Sequence, residues 1–487
     1  MNALSIITDK ATIPGLKDLA KMAIETHSPT SGEKDILDKL QGLAEGLASA
    51  PTIIRGDFGL VVIWEGASGK NAPLYLFDGH VDNVSVKEEE AGQWLSDPFE
   101  AVFKEEEGKE YVYGKGAVDQ QGGYLVAFKA LVETLEQINV AKRSNSIGIV
   151  FARAEEVAEG FASEKIHHEL LDLGYDIRGV IITEPSFATI MTGQMGRLRL
   201  KIKDHDKNPV ALAALISRLY TYERMAKVTG EKQALTLIGG DLRGDYTGTI
   251  DSQVPDRAVI KCAGGDELKL RLKKMKEEGH LVDYSYGEGV IELKGRTAHS
   301  AFPWKGVNAG VALADLLVGI EGAELVAAHI GDGGIDVTAD GGVLYYDYRI
   351  DFGESPESFI ESLREHCAKE LELMPNLEIG VSTQEIELDG KKFEVYQYFP
   401  AWELGEDSLL LPALKTAAMA HYDLNEVPVG AWGFCTNGSG WTKKKGLELI
   451  GIGPGDPTLS HQPNERCPMG EMVDVCSLLQ RFIADFI

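Results

Sequence analysis

Cysteine is scarce in this sequence of 487 residues. The five present (Cys262, Cys367, Cys435, Cys467 and Cys476) are odd in number, scattered, and form no Cys-x-x-Cys pair. That excludes a disulfide framework and a cysteine-rich zinc site, and it fits a reducing compartment. Positive charge is also short: Lys and Arg number 48 against 76 Asp and Glu, a net charge of −28. Nucleic acid and anionic lipid both require a basic surface, so neither is expected as a partner. No apolar run approaches the ~18 residues of a membrane span. The opening Met1–Lys10 lacks the basic and long apolar regions of a signal peptide, so a cytoplasmic protein is expected. Three hydrolase and nucleotide signatures are missing too. His168-Glu169 is followed by Asp172, not by a second His, and neither a GxSxG elbow nor a GxxxxGK[ST] loop occurs.

What is present is ordinary globular material, 44% hydrophobic and 25% charged, with an abundance of glycine at 54 residues. Such a chain can bury a large core unaided, and at roughly 150 residues per domain it divides into about two to four. Up to about residue 195, strand and helix signals alternate. Ala72–Asp78, Ser146–Phe151 and Gly179–Thr183 read as buried strands, and Gly123–Ile138 has apolar residues three and four apart. Leu447–Ile452 near the other end reads as one more strand. Alternation of this kind predicts βαβ units and an α/β fold with a mixed, mostly parallel sheet sandwiched by helices. The middle reads as an inserted α+β region with a tandem repeat, 196–288 and 289–387. Each half offers a strand, a helix beginning at Asn208 or Asn308, a glycine-rich strand pair, and a charged helix. Two tandem ferredoxin-like units are the expectation. The domain plan is therefore 1–195, first part of the outer domain; 196–387, the insertion; and 388–487, its second part.

Polar clusters follow the apolar strands, and in open α/β sheets sites gather at the carboxyl ends of strands. His80-Val-Asp82 puts two side chains on one side of an extended stretch, so that Asp82 can orient the imidazole. Asp119 lies between glycine pairs at the start of a helix. Glu155-Glu156 pairs two adjacent carboxylates, one suited to bind a metal and the other to act as general base toward a metal-activated water. Glu184-Pro185 and His461 complete the set. Two His, one Asp and two Glu, with one Glu left over, suit two divalent ions in N/O coordination. Zinc is the expected metal; manganese and cobalt fit the same donors. Two ions ~3.5–4 Å apart need a bridging carboxylate, for which Asp119 is the candidate.

In this order, Gly79-His-Val-Asp82, Trp94 with Asp97-Pro-Phe99, Tyr113-Gly-Lys-Gly116 with Asp119, Glu155-Glu156, Glu184-Pro185, Gly295-Arg-Thr-Ala-His299 and His461 with Asn464-Glu465 form a specific combination. With it the chain resembles the dizinc metallopeptidases and deacylases that include carboxypeptidase G, acetylornithine deacetylase, succinyl-diaminopimelate desuccinylase, aminoacylase and the lactobacillal monomeric dipeptidase. The resemblance implies a zinc-exopeptidase-like fold with a lid. It implies that His80 and Glu184 hold one ion, Glu156 and His461 the other, and that Asp119 bridges. Glu155 would be the general base and Asp82 the orienter of His80, with a cis peptide after Asp119. His299 would stabilise the oxyanion and touch substrate, Arg349 would bind a substrate carboxylate, and the loop Thr436-Asn437-Gly438 would line the substrate pocket. The sequence departs from the family at Ala154, where Asp is usual, and at Lys115, where Arg is usual.

The implied reaction is hydrolysis of the amide bond of small N-acyl amino acids or related carboxylate-bearing amides, in a deacylase or carboxypeptidase manner. A dipeptidase acting on unblocked dipeptides is the alternative, and a non-catalytic amino-acid-binding relative a remote one. Glu184 favours the deacylase branch, whereas the fused double lid resembles the dipeptidase and implies a monomer.

Overall fold

The computed structural model describes residues 13–86, 92–206, 208–225, 229–230, 232–241, 253–262, 266–287, 290–298, 300, 303–318, 325–330, 342–443 and 446–487. They form two compact units. The first comprises Met1–Gln194, Glu385–Val395 and Trp402–Ile487; the second comprises Met195–Gln384 and Tyr396–Ala401. The return near residue 388 is thus not a single crossing, since the short stretch Tyr396–Ala401 goes back to the second unit. One reason is that Tyr398 and Phe399 pair with Leu198 and Arg197 there.

The first unit is built on one mixed sheet. Its strands run in the order Thr52–Gly56, Gly59–Trp64, Ser146–Ala152, Pro73–His80, Asp176–Ile182, Glu448–Gly451, Ile190–Gln194 and Trp402–Glu403, with Val429–Trp432 also pairing with Ile190–Gln194. Only the central four are mutually parallel, and the flanking pairs are mainly antiparallel. Alternate residues of the central strands serve two different cores. Tyr75 and Phe77 join one cluster with the helices Gly122–Leu135 and Met469–Phe486. Leu74 and Leu76 join another with the helix Phe161–Asp172. This period of two is why the sheet carries helices on both faces. The parallel register sets His80 beside Ala152, Asp78 beside Ile182, and Gly451 beside Ile182. The carboxyl ends of the four central strands therefore finish level with one another.

The main sheet of the second unit is antiparallel, in the order Asp283–Gly287, Val290–Lys294, Arg257–Cys262, Leu325–Ile330, Thr236–Asp241, Gly342–Tyr348, Arg197–Asp204 and Leu377–Val381. This corrects the expected tandem arrangement. Two tandem units would pair Thr236–Asp241 with Arg257–Cys262, the next strand in sequence. Instead Thr236–Asp241 pairs with Gly342–Tyr348, and Arg257–Cys262 pairs with Leu325–Ile330. The four strands from Arg257 to Ile330 make one contiguous ferredoxin-like unit. It is inserted between the second and third strands of another, made of Arg197–Asp204, Thr236–Asp241, Gly342–Tyr348 and Leu377–Val381. The units are nested, not consecutive. A β-α-β-β-α-β pattern repeated along a chain divides equally well either way, and only long-range pairing distinguishes them. Helices Pro209–Tyr220 and Ala309–Val318 contribute Leu215 and Leu313 to one shared core.

No helix among the described residues is long and apolar enough to cross a membrane. Cys367, Cys435, Cys467 and Cys476 are buried, and no disulfide forms among the described residues.

Nesting predicts that Lys201 and Tyr345, register partners 144 positions apart in the chain, lie within disulfide reach. The double variant Lys201→Cys/Tyr345→Cys is expected to form that cross-link under mild oxidation, read by non-reducing peptide mapping. Free thiols at both positions would contradict the pairing.

Candidate metal centre

The level strand ends assemble the site within the first unit. Pro73–His80 ends on His80. The turn after Ser146–Ala152 carries Glu155 and Glu156, and Glu184 follows Asp176–Ile182. Asp119 precedes the helix Gly122–Leu135, and the loop after Glu448–Gly451 brings His461.

Asp119 is shared between the two imidazoles. Its Oδ1 lies 3.0 Å from His80 Nε2 and its Oδ2 lies 3.2 Å from His461 Nε2. His461 Nε2 is also 2.8 Å from Glu156 Oε2. On the other side, His80 Nε2 is 3.7 Å from Glu184 Oε1 and 3.8 Å from Glu155 Oε2. Donor atoms of His80, Asp119 and Glu156 fall within 4.8 Å of one another. The six side chains predicted from the sequence as ligands and base are thus brought together. The peptide bond between Asp119 and Gln120 is cis.

Such a crowd of acids out of water is electrostatically unsatisfied without cations. Burial opposes charge throughout. Even so, His80 is held well above the ordinary imidazole value by Glu155, Asp119, Asp82 and Glu184. His461 is likewise opposed by burial, yet Glu156 and Asp119 bring it up to about 10. Burial raises Asp119, but hydrogen bonds from His461 and His80 hold it well below the usual carboxylate range. Glu155 and Glu184 go well above that range, through burial first and then neighbouring carboxylates. Protons stand where cations would fit, and this donor set of imidazoles and carboxylates suits two divalent ions.

A surrounding set of hydrogen bonds fixes the ligands. His80 Nδ1–H donates to the backbone carbonyl of Asp82 at 2.9 Å, while the Asp82 carboxylate stands 3.5 Å away. Asp82 therefore meets His80 through its main-chain carbonyl as well as through the carboxylate contact expected from the sequence. The carboxylate itself accepts from the N–H groups of Glu155 (3.0 Å) and Glu156 (3.2 Å) and from Thr30 Oγ1 (2.7 Å). It holds the turn that carries both glutamates. Glu33 supports the same turn from behind, accepting from Ala154 N–H at 3.1 Å and pairing with buried Arg153 at 3.0 Å. Ala154 itself is left-handed, with φ 56°.

Glu465, fully buried, clamps the Asp119 loop. Its Oε1 accepts from Val118 and Asp119 N–H at 2.9 and 3.0 Å, and its Oε2 pairs with Lys115 at 3.2 Å. Gln120 donates to Glu184 Oε1 and accepts from Thr183 Oγ1 (2.6 Å). This relay is why position 79 is glycine: a Cβ there would lie 2.6 Å from Thr183 Oγ1 and 2.8 Å from Gln120 Oε1.

Other predicted residues are not part of this cluster. Thr436 and Asn437 are fully buried. The Thr436 hydroxyl donates to Gln194 Oε1, Gly438 N–H donates to Thr436 Oγ1 (3.0 Å), and the Asn437 amide donates to Asp78 Oδ1 (3.1 Å). The Thr436 hydroxyl and the Asn437 amide nitrogen are thus bonded within the fold, while Asn437 Oδ1 has no hydrogen-bond partner among the described residues. Arg349 belongs to the second unit, and His299 lies outside the described residues. Sequence reasoning missed Asp78, which also accepts from Ser163 (2.7 Å) and Trp441 (2.5 Å). The available signal was a lone carboxylate inside the apolar run that leads to His80.

Residues 76–485 match the model of Peptidase family M20/M25/M40. A relative from Staphylococcus aureus (strain MRSA252), the "Probable succinyl-diaminopimelate desuccinylase", is 24% identical over 206 residues, 41% of this chain and 45% of that protein. The chain spans about half the length of the curated relatives it matches. Among solved structures, the M20 family metallo-carboxypeptidase Sso-CP2 from Sulfolobus solfataricus aligns with TM-score 0.56 and 15% identity, over 97% of this chain and 99% of the other. The Bacillus subtilis YXEP protein, a dinuclear metal binding peptidase, aligns with TM-score 0.53 and 11% identity, over 96% and 97%. At these identities the structural likeness is one of fold.

Two outcomes follow from the geometry. Glu465→Gln should weaken divalent-metal affinity ~10–100-fold, as loss of a ligand-orienting group does, measured by chelator competition. His461, near 10 without metal, carries a proton at pH 7.5 and must lose it to become a ligand. Metal uptake should therefore release protons, and affinity should fall as pH falls. Calorimetry in buffers of differing ionisation enthalpy reads this directly, and uptake without proton release would remove His461 from the ligand set.

Proposed function

Because the chain belongs to Peptidase family M20/M25/M40, we propose that it is a two-metal hydrolase. It cleaves the amide bond of small N-acyl amino acids or related carboxylate-bearing amides. The observation that carries this reading is the Asp119 carboxylate, shared between His80 and His461 at 3.0 and 3.2 Å with Glu155 close by. A carboxylate offering one oxygen to each imidazole is the natural bridge between two ions. His80 and Glu184 would hold one ion, Glu156 and His461 the other. The pair would supply the Lewis acidity that lowers the pKa of water toward ~7 and polarises the scissile carbonyl.

The remaining work falls to the protein. Among the described residues, no side-chain hydrogen bond ties the Glu155 carboxylate, which stands at the edge of the cluster. It takes the proton of the attacking water and returns it to the departing amine. Burial and its acidic neighbours already raise its proton affinity, which suits a group that must hold a proton between the two steps. His299 stabilises the oxyanion, and Arg349 binds the substrate carboxylate, a planar fork matched to a carboxylate.

The substrate class follows Glu184, which suits the deacylase branch, and agrees with the name carried by the Staphylococcus aureus relative. The doubled ferredoxin-like insertion favours a second reading, a dipeptidase, and with it a monomer whose site needs no partner subunit.

Glu155→Gln is expected to keep metal content at the wild-type level while lowering kcat by several orders of magnitude; retained turnover would remove Glu155 from its role. The wild-type enzyme, loaded with Zn²⁺ or Mn²⁺, meets a panel of N-acetyl and N-succinyl amino acids and free dipeptides, with products read by mass spectrometry. Release from acylated substrates supports the deacylase. Release from free dipeptides alone supports the second reading.

A further inference from the structure

Strand Arg197–Asp204 of the second unit sends Leu198, Leu200 and Ile202 into the core. Arg197 and Arg199, on alternate positions, therefore stand on the opposite face. Asp347 is the register partner of Arg199 on one side and of Thr236 on the other, so it shares that face. Arg349 follows two residues on. All four of these charged side chains are no more than 2% exposed.

Their contacts divide the Asp347 carboxylate. Its Oδ2 accepts from Arg197 Nε at 2.8 Å, and its Oδ1 faces Arg349 Nε at 3.5 Å. Arg349 Nη2 donates to Ser300 Oγ at 3.2 Å, and the Ser300 carbonyl accepts from Thr236 Oγ1 at 3.2 Å. Burial would raise Asp347, but Arg349, Arg197 and Arg199 bring it down to about 2, so it stays ionised. A guanidinium hydrogen-bonded at Nη2 and facing a carboxylate from Nε is restricted about its last torsions. Bidentate recognition of a carboxylate needs that fixed fork.

We propose that Asp347 and Ser300 are positioning residues that set the plane of the Arg349 guanidinium, with Arg197 locking Asp347 in place. This rests on the reading of Arg349 as the group that binds the substrate carboxylate. A charge cluster that merely stabilised the unit would leave ligand discrimination untouched; this one sets it.

The test compares the fastest-cleaved member of the substrate panel with its primary amide, which lacks the carboxylate charge. The ratio of the two kcat/KM values is measured on metal-loaded wild type, Asp347→Asn, Ser300→Ala and Arg349→Ala. Ser300→Ala removes one hydroxyl and keeps the buried charges balanced, so it remains informative where Asp347→Asn fails to fold. Calorimetric titration of the same two ligands onto the Glu155→Gln background gives the ratio without turnover. The expected result is a carboxylate-over-amide ratio reduced ~10-fold in Ser300→Ala and Asp347→Asn, as for loss of a hydrogen bond to a charged group, and abolished in Arg349→Ala. An unchanged ratio in both positioning variants, with the ratio abolished in Arg349→Ala, would overturn the positioning role alone. An unchanged ratio in Arg349→Ala would overturn the reading beneath it.

Discussion

One carboxylate with an imidazole on either side organises the polar cluster of the first unit. Asp119 can hold that place only because its backbone is pinned from outside the cluster. Glu465 takes its N–H, and the Asn83 amide donates to its carbonyl at 3.2 Å. The imidazoles come from opposite ends of the unit's chain, His80 from a central strand and His461 from a loop nearly four hundred residues later. The parallel register brings the strand ends level, and the acids gather where they end. Mutual repulsion within this set is the cost of the arrangement, and protons or cations are what relieve it.

The cluster was legible in the sequence because imidazoles and carboxylates at the ends of apolar strands stand out from their surroundings. His80, Asp119, Glu155, Glu156, Glu184 and His461 each follow or precede an apolar segment, and the structure draws all six together. What could not be read was the support. Asp78, Glu33 and Gln120 look like any other polar residue until the fold puts them beside the cluster. Asp82 was legible in part: its spacing from His80 suggested the side-chain contact found at 3.5 Å, but not the hydrogen bonds its oxygens accept from the amides of the Glu155–Glu156 turn. Nor does a polar loop such as Thr436-Asn437 disclose its bond to buried Asp78.

The strands and helices of the second unit were also legible one by one, but their assembly was not. Periodicity identifies a strand and the face it buries, not its neighbour in the sheet. Strand pairing across more than a hundred residues is decided by which exposed edges meet, and a duplicated pattern offers two equivalent answers. The sheet adopts the one in which Thr236–Asp241 meets Gly342–Tyr348.

Nesting has an evolutionary implication. Asp241 and Val343 face each other across that ladder, so everything between them leaves and rejoins the outer ferredoxin-like unit at one place on its edge. The inner copy is a guest in a host whose own strands keep their neighbours. A change from one copy to two then requires a single insertion at one doorway, with neither the host sheet nor the first unit rebuilt to receive it.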